Sequence, residues 1–410
     1  MSVAPHIKEI MNSKDSSAIR KMFEEGTLLK QKYGSENVFD FSIGNPDLEP
    51  PKQVIQTIKD VALSSEPGCH GYMANAGYPE VRAAIAKKVS NEQGVSLDFN
   101  HIVMSAGAAG ALNTVFKALL SPEDQVIVPA PFFAEYGHYV RNHGGKLIPV
   151  ATKKDFSLDI DAIKSALSEK TAVVLINSPN NPSGKIYSLD EIKLLCDVLK
   201  QHGNKCGRMP CLLCDEPYRD IVYDGFSVAP VFSTYEYSII VSSFAKNLSL
   251  PGERIGYIAV NSFFPDSDQV IAACIFCART LGFVNAPAFF QRVVAKSWNV
   301  QLDFSSYTRR KEMLLSVLDT VGVEYAKPEG AFYVFCKVPL KKNHSEIEKN
   351  FVEDDNLFCS HLKDFLILCA PGSGFGMRGW FRMAFCVPET VILNCKNSLS
   401  KAITSWYNSV

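Results

Sequence analysis

Six short apolar runs punctuate residues 102–260: 102-IVM-104, 126-VIVPA-130, 172-AVVLIN-177, 211-CLLCD-215, 238-SIIVSS-243 and 255-IGYIAV-260. They are rich in Val and Ile and apolar at successive positions, which is how a strand reads when it is buried on both faces. Between several of them lie helical patterns, at 108–120, 134–143 and 188–202. Strand–helix alternation predicts an α/β fold with a mainly parallel sheet. In such sheets ligands bind where strands end and loops lead away.

The pattern changes after about residue 300. A long helix is predicted over 303–320, then strands in 331-AFYVFCKV-338 and 381-FRMAFCV-387, then a closing helix over 390–407. This reads as a second, α+β unit. An amphipathic helix, 16-SSAIRKMFEEGTLLKQKYG-34, ends at a Gly and could join either unit. The 410 residues suit two or three domains. No repeat or low-complexity tract breaks them.

The net charge of −1 excludes a field built for nucleic acid or a membrane surface, so any anionic ligand must be attracted by local groups. No apolar stretch reaches membrane-spanning length. The polar start, MSVAPHIKEIMNSKDSS, lacks a secretory h-region, and a reducing cytoplasm is expected for the 12 Cys. Cys211 and Cys214 have C-x-x-C spacing near Cys206, but CLLCDEPY reads as a buried strand and not as a zinc site, which usually wants four ligands.

Five segments at the ends of strand-like runs carry candidate chemistry. In 105-SAGAAGALN-113, small residues open a helix, so Gly107, Ala108 and Ala109 could bring backbone N–H groups to a phosphate; close packing is the plainer reading. In 129-PAPFFAEY-136, Phe133 could stack on a flat heteroaromatic ring or could be a core aromatic. In 177-NSPNNPSG-184, Pro residues fix a turn, and Asn181 could donate to a ring oxygen or a carboxylate. Asp215 ends an apolar strand in 211-CLLCDEPYRD-220, where a carboxylate needs a partner such as a pyridinium nitrogen or a helix to cap; Tyr218 could reach a phenolic oxygen of the same ring. In 242-SSFAKNLSLPGERIGY-257, little nearby charge favours a neutral amine on Lys246, and Ser243 and Arg254 could bind one phosphate. Together these are the functions that pyridoxal 5'-phosphate (PLP) needs from a protein.

The order and wording of these segments resemble the class I/II aminotransferases, fold-type I PLP enzymes of the broad aspartate aminotransferase family. The resemblance runs from 38-VFDFSIGNPD-47 to 381-FRMAF-385. It implies a large domain at 45–305 with a mostly parallel seven-stranded sheet, and a smaller α+β domain from 1–44 and 306–410. It implies that Lys246 forms a Schiff base with the cofactor and then moves the substrate α-proton, that Asp215 pairs with the pyridine nitrogen, and that Asn181 and Tyr218 bond the ring 3-oxygen. Phe133 then stacks on the ring. Gly107, Ala108, Ala109, Ser243 and Arg254 take the phosphate, with Tyr72 reaching it from the partner subunit of a homodimer. Arg382 binds the substrate α-carboxylate, and Gly44 closes over the substrate.

The implied reaction moves an amino group from an L-amino acid to a 2-oxo acid by a ping-pong route. A C–S or β-lyase on the same scaffold would share these residues. A PLP-sensing regulator would need a DNA-binding domain ahead of the core, where only about 40 residues stand, and the net charge of −1 does not suit one. Side-chain specificity stays open. Ala109 stands where some relatives have Lys, and Thr280, beside Arg279, stands where others have a partner Arg. Arg378 and Arg141 are further cations, while Phe375, Phe283 and Tyr33 would suit an apolar or aromatic substrate.

Overall fold

The computed structural model describes residues 3–12, 25–341 and 353–408. The first strand, β1 (Phe39–Asp40), belongs to a minor sheet. The next seven are β2 (Ile102–Ser105), β3 (Gln125–Pro129), β4 (Lys146–Val150), β5 (Thr171–Asn177), β6 (Cys211–Asp215), β7 (Ser238–Ser243) and β8 (Gly256–Val260). They form one sheet in the order β2-β8-β7-β6-β5-β3-β4. Every pairing is parallel except those of β8, which runs antiparallel to β2 and β7.

The six apolar runs become six of these strands, and their alternation divides cleanly between two cores. Val174 and Ile176 of β5, Leu212 and Cys214 of β6 and Ile240 of β7 join one cluster. Their neighbours Val173, Leu175, Cys211, Leu213, Ile239 and Val241 join the cluster on the opposite face. Both faces are therefore covered, at roughly 1.5–3 kcal/mol per fully buried large side chain. Sequence reading did not anticipate β4, an edge strand in which Val150 is the one buried residue.

The helix Gly107–Leu119 covers one face through Leu112, Val115 and Phe116. The helix Leu189–Cys206 covers the other through Ile192, Leu195 and Leu199. It starts where expected, because Ser188 and Glu191 form a capping box, and it runs past 202 until Gly207 turns left-handed at φ 77°. Cys211 and Cys214 are buried strand residues, and among the described residues no group of His, Cys, Asp and Glu could hold a metal.

The later strands are β9 (Tyr325–Ala326), β10 (Tyr333–Lys337), β11 (Ile367–Leu368), β12 (Ala370–Pro371) and β13 (Trp380–Ala384). Four form an antiparallel sheet in the order β12-β13-β10-β9, while β1 pairs in parallel with β11. The helices Ser305–Val321 and Glu389–Asn408 pack on it through Leu314, Leu318, Leu399 and Trp406. Residues 25–33 are helical and side with this unit: Lys363 pairs with Glu25 at 2.9 Å and Lys30 with Asp40 at 2.7 Å. Of the helix expected over 16–34, residues 16–24 lie outside the described residues.

One buried carboxylate organises the approach to β13. Asp355 is 1% exposed and accepts from the backbone N–H of Ser373 at 2.7 Å and of Gly379 at 3.1 Å. It thereby fixes the loop that carries Phe375, whose carbonyl accepts from Phe132 N of the first unit at 3.0 Å. Charge-assisted bonds of this kind contribute about 1.5–3 kcal/mol each. Asp355→Ala is expected to lower unfolding stability by about 2–4 kcal/mol, read by denaturant titration. A change under half a kilocalorie would show that the loop holds itself.

Candidate active site

The parallel strands deliver their polar residues to one end of the sheet. Asn177 ends β5, Asp215 ends β6 and Ser243 ends β7. Lys246 follows in the short helix Phe244–Asn247, and Ala108 and Ala109 lie in the first turn of the helix after β2. These residues, with Gly44, Phe133, Asn181, Tyr218, Arg254 and Arg382, line a cavity of about 410 Å³.

Asp215 is buried, and its Oδ2 accepts from Tyr136 Oη at 2.6 Å. Its Oδ1 is buried with no protein partner. Burial pushes the carboxyl up to about 7; the Tyr136 bond works against this and the neighbouring Glu216 adds to it. Tyr136 itself is held protonated, since burial and Asp215 push its phenol well above the ordinary range. Asn177 ties two candidates together: its Nδ2 donates to the Asp215 carbonyl and its Oδ1 accepts from Asn181 N, both at 2.7 Å.

Lys246 Nζ donates to the Gly44 carbonyl at 3.1 Å. Burial pushes its ammonium down to about 8, and repulsion from Arg382 and Arg254 adds to that shift while Cys386 opposes it. The amine is thus far closer to its neutral, nucleophilic form than an exposed lysine. Lys246 also lies 5.3 Å from the Phe332 ring and 5.8 Å from that of Tyr218.

Arg382, on β13, is 4% exposed. Its Nη1 donates to Asn181 Oδ1 at 2.9 Å and its Nη2 to the Ser42 carbonyl at 2.6 Å. Its Nε is buried without a partner, and no carboxylate among the described residues pairs with it. A buried guanidinium held only by neutral acceptors is built to receive an anion. The rings of Tyr333 and Phe375 lie 4.5 and 4.8 Å from it.

The donor set fits pyridoxal phosphate. The unpartnered Asp215 oxygen suits a protonated ring nitrogen. Gly107 has φ 75°, and a Cβ there would come within 2.8 Å of Arg254 Nη2, so this glycine lets a guanidinium lie against the start of a helix. A helix N-terminus, a guanidinium and the Ser243 hydroxyl border the same cavity and are donors that suit a phosphate. Phe133 borders the same cavity, edge-on to Tyr136 at 5.5 Å.

Other expected residues lie elsewhere. Tyr72 is 94% exposed and lines a separate cleft with Phe283, so it does not reach the cavity of its own chain. Arg279, Thr280, Arg141, Arg378 and Tyr33 do not line the cavity, and Phe375 sits against Arg382. Sequence reading missed Tyr136, Asn177, Ser42 and Tyr333. The two tyrosines stand in aromatic runs, PAPFFAEY and AFYVFCKV, that read as packing; their hydroxyl partners come from distant segments.

A family model described as aminotransferase class I and II matches residues 36–395. An amino transferase from Eubacterium rectale, known as a crystal structure, is 37% identical with a TM-score of 0.92, and each chain covers 100% of the other. A probable aspartate/prephenate aminotransferase from Aquifex aeolicus is 30% identical, over 90% of this chain and 91% of its own. Aromatic-amino-acid aminotransferase 2 from Thermococcus litoralis is 27% identical, over 94% of this chain and 95% of its own. All three are named as aminotransferases, which does not favour the lyase or regulator readings. With a family match across most of its length and these relatives at near-full coverage, the chain belongs to the class I and II aminotransferases, enzymes that transfer amino groups between amino and 2-oxo acids.

Proposed function

We propose that this aminotransferase binds pyridoxal phosphate in the cavity at Lys246 and exchanges the amino group of an L-amino acid with a 2-oxo acid by a ping-pong route. The observation that carries the reading is the convergence of a lysine shifted to about 8, a buried carboxylate with one free oxygen and a buried arginine without an anion. When bound, pyridoxal phosphate supplies an electron-accepting ring that lets an α-proton leave and an amino group pass between carbon skeletons.

The chain's residues divide the remaining work. Lys246 Nζ holds the cofactor covalently and, once released, moves the proton at the substrate α-carbon. Asp215 Oδ1 pairs with the ring nitrogen and keeps it protonated, with Tyr136 fixing the carboxylate plane. Asn181 and Tyr218 bond the ring 3-oxygen, and Phe133 packs on the ring. Gly107, Ala108 and Ala109, with Ser243 and Arg254, hold the phosphate. Arg382 takes the α-carboxylate, and Gly44 closes over the substrate and helps exclude water.

The unit boundaries belong to the same proposal: a large domain at 45–305 and a small one from 1–44 and 306–410, in keeping with a core that draws mainly on Val38, Phe39, Phe41 and residues from Tyr307 onward, joined by Tyr218, Ile221 and Tyr223 of the large domain. We further propose a homodimer in which exposed Tyr72 serves the partner's phosphate site. A cytoplasmic setting is supported by the twelve cysteines, all free thiols.

Three outcomes are expected. Lys246→Ala should lose the visible absorbance of bound cofactor, and a variant that still fixed the cofactor on borohydride reduction would sink the assignment. Capture of cofactor by cofactor-free protein should speed up as pH rises, with a midpoint near 8, because the amine is protonated and inert below its shifted value and neutral above it. A midpoint near that of an ordinary lysine would refute the role of burial. Arg382→Ala should raise KM about a hundredfold for every amino-acid donor alike. A loss confined to one donor would instead put Arg382 at the substrate side chain.

A further inference from the structure

Tyr333 sits where three parts of the proposed site meet. It lies on β10, between β13 and β9, and is 2% exposed. Its hydroxyl is 2.8 Å from Tyr218 Oη, in the loop after β6. Its ring lies 4.5 Å from the Arg382 guanidinium carbon. A Cβ on Gly44 would overlap the Tyr333 hydroxyl, so residue 44 must lack one for its carbonyl to reach Lys246 Nζ. One side chain thus touches the phenol, the arginine and the glycine whose roles are proposed above.

The two ends of this tyrosine meet different partners. The ring offers Arg382 a face, which holds a planar guanidinium by cation–π attraction and fixes its tilt. The hydroxyl concerns Tyr218. A phenol has one proton to give, and either member of the Tyr218–Tyr333 pair can be the donor in this structure. That freedom ends when Tyr218 commits its proton to the cofactor's ring oxygen. The Tyr218 oxygen can then only accept, so Tyr333 must donate to it. A donor chain from Tyr333 through Tyr218 polarises its second link and strengthens it.

We infer that Tyr333 is a positioning residue that couples carboxylate binding to the cofactor's ring oxygen: its ring holds Arg382, and its hydroxyl directs and strengthens the Tyr218 bond. This rests on the proposed roles of Arg382 and Tyr218. Without the hydroxyl, Tyr218 donates less strongly, the ring oxygen becomes more basic, and the visible band of bound cofactor titrates at higher pH. Without the ring, Arg382 also loses a supporting face.

The test compares holoenzymes of wild type, Tyr333→Phe, Tyr333→Leu, Tyr218→Phe and the double variant Tyr218→Phe/Tyr333→Phe. Three things are measured: the pH midpoint of the visible band, kcat and KM for one amino-acid donor, and the unfolding temperature as a check on folding. Tyr333→Phe should raise the midpoint by about 0.3–1 pH unit, the scale of one hydrogen bond, and lower kcat while KM stays within about twofold. Tyr333→Leu should show the same midpoint shift and a KM raised by about 5- to 30-fold. In the Tyr218→Phe background, Tyr333→Phe should move the midpoint no further, because the link it supports is gone.

A folded Tyr333→Phe with an unmoved midpoint would overturn the inference. So would a midpoint shift that persists without the Tyr218 hydroxyl, or a Tyr333→Phe that raises KM as much as the leucine variant. A wild-type protein lacking the visible band would overturn both this inference and the cofactor reading beneath it.

Discussion

The site depends on ionisable groups buried without full compensation. Asp215 closes a strand whose five residues are all buried, and a carboxylate there is costly unless paired. Tyr136 satisfies one oxygen and leaves the other bare. Arg382 is satisfied by two neutral oxygens and has a buried Nε with nothing to bond. Lys246 answers the same low-polarity surroundings by shifting to about 8. Each group pays for its position in the protein alone; a ligand with a cation at Asp215 and an anion at Arg382 would relieve those two, and one that takes up the Lys246 amine in its neutral form would relieve the third.

Placing those groups takes both halves of the chain. The large sheet supplies Asn177, Asp215, Ser243 and the Lys246 turn, because parallel strands end on the same side. The later antiparallel sheet supplies Arg382 and Tyr333 from neighbouring strands. The segment after β1 adds Ser42 and Gly44, and the pairing of β1 with β11 anchors it, through Phe39 N to the Leu366 carbonyl at 2.8 Å and Phe41 N to that of Leu368 at 2.9 Å. The cavity is therefore a seam, with the groups proposed to bind the ring on one side and those proposed to bind the carboxylate on the other. Asn181 bridges it by accepting from Arg382, and Tyr333 by meeting Tyr218.

Much of this was legible in the sequence because burial on both faces leaves an unbroken apolar record, as in β5, β6 and β7. The edge strand β4 left no such record, with one buried residue in five, and β1, β9, β11 and β12 are two residues long and read as loop. Lys246, Asp215, Asn181 and Arg254 stood out as polar residues where apolar runs stop. Tyr136 and Tyr333 did not, since a buried tyrosine reads as core until the partner of its hydroxyl is known. Arg382 could be placed only through the family resemblance; nothing in the periodicity of 381-FRMAFCV-387 says that its guanidinium lacks an acid. Tyr72 is exposed and lines a separate cleft, and its role, like that of Arg382, comes from the family resemblance alone.

Net charge illustrates the same limit from another direction. A value of −1 over 410 residues gives no hint of an anion site. Yet three cations, Lys246, Arg254 and Arg382, line the cavity against two carboxylates, Asp215 and Glu135, and of these Arg254 and Glu135 are exposed while Arg382 and Asp215 are buried. Charges on the outer surface are screened beyond roughly 8–10 Å in physiological salt, whereas groups within a recessed cavity are screened far less. Capture of an anionic substrate is therefore decided inside the seam. There Asp215, raised to about 7 by burial, is only about half ionised near neutral pH until a cation arrives to hold it ionised.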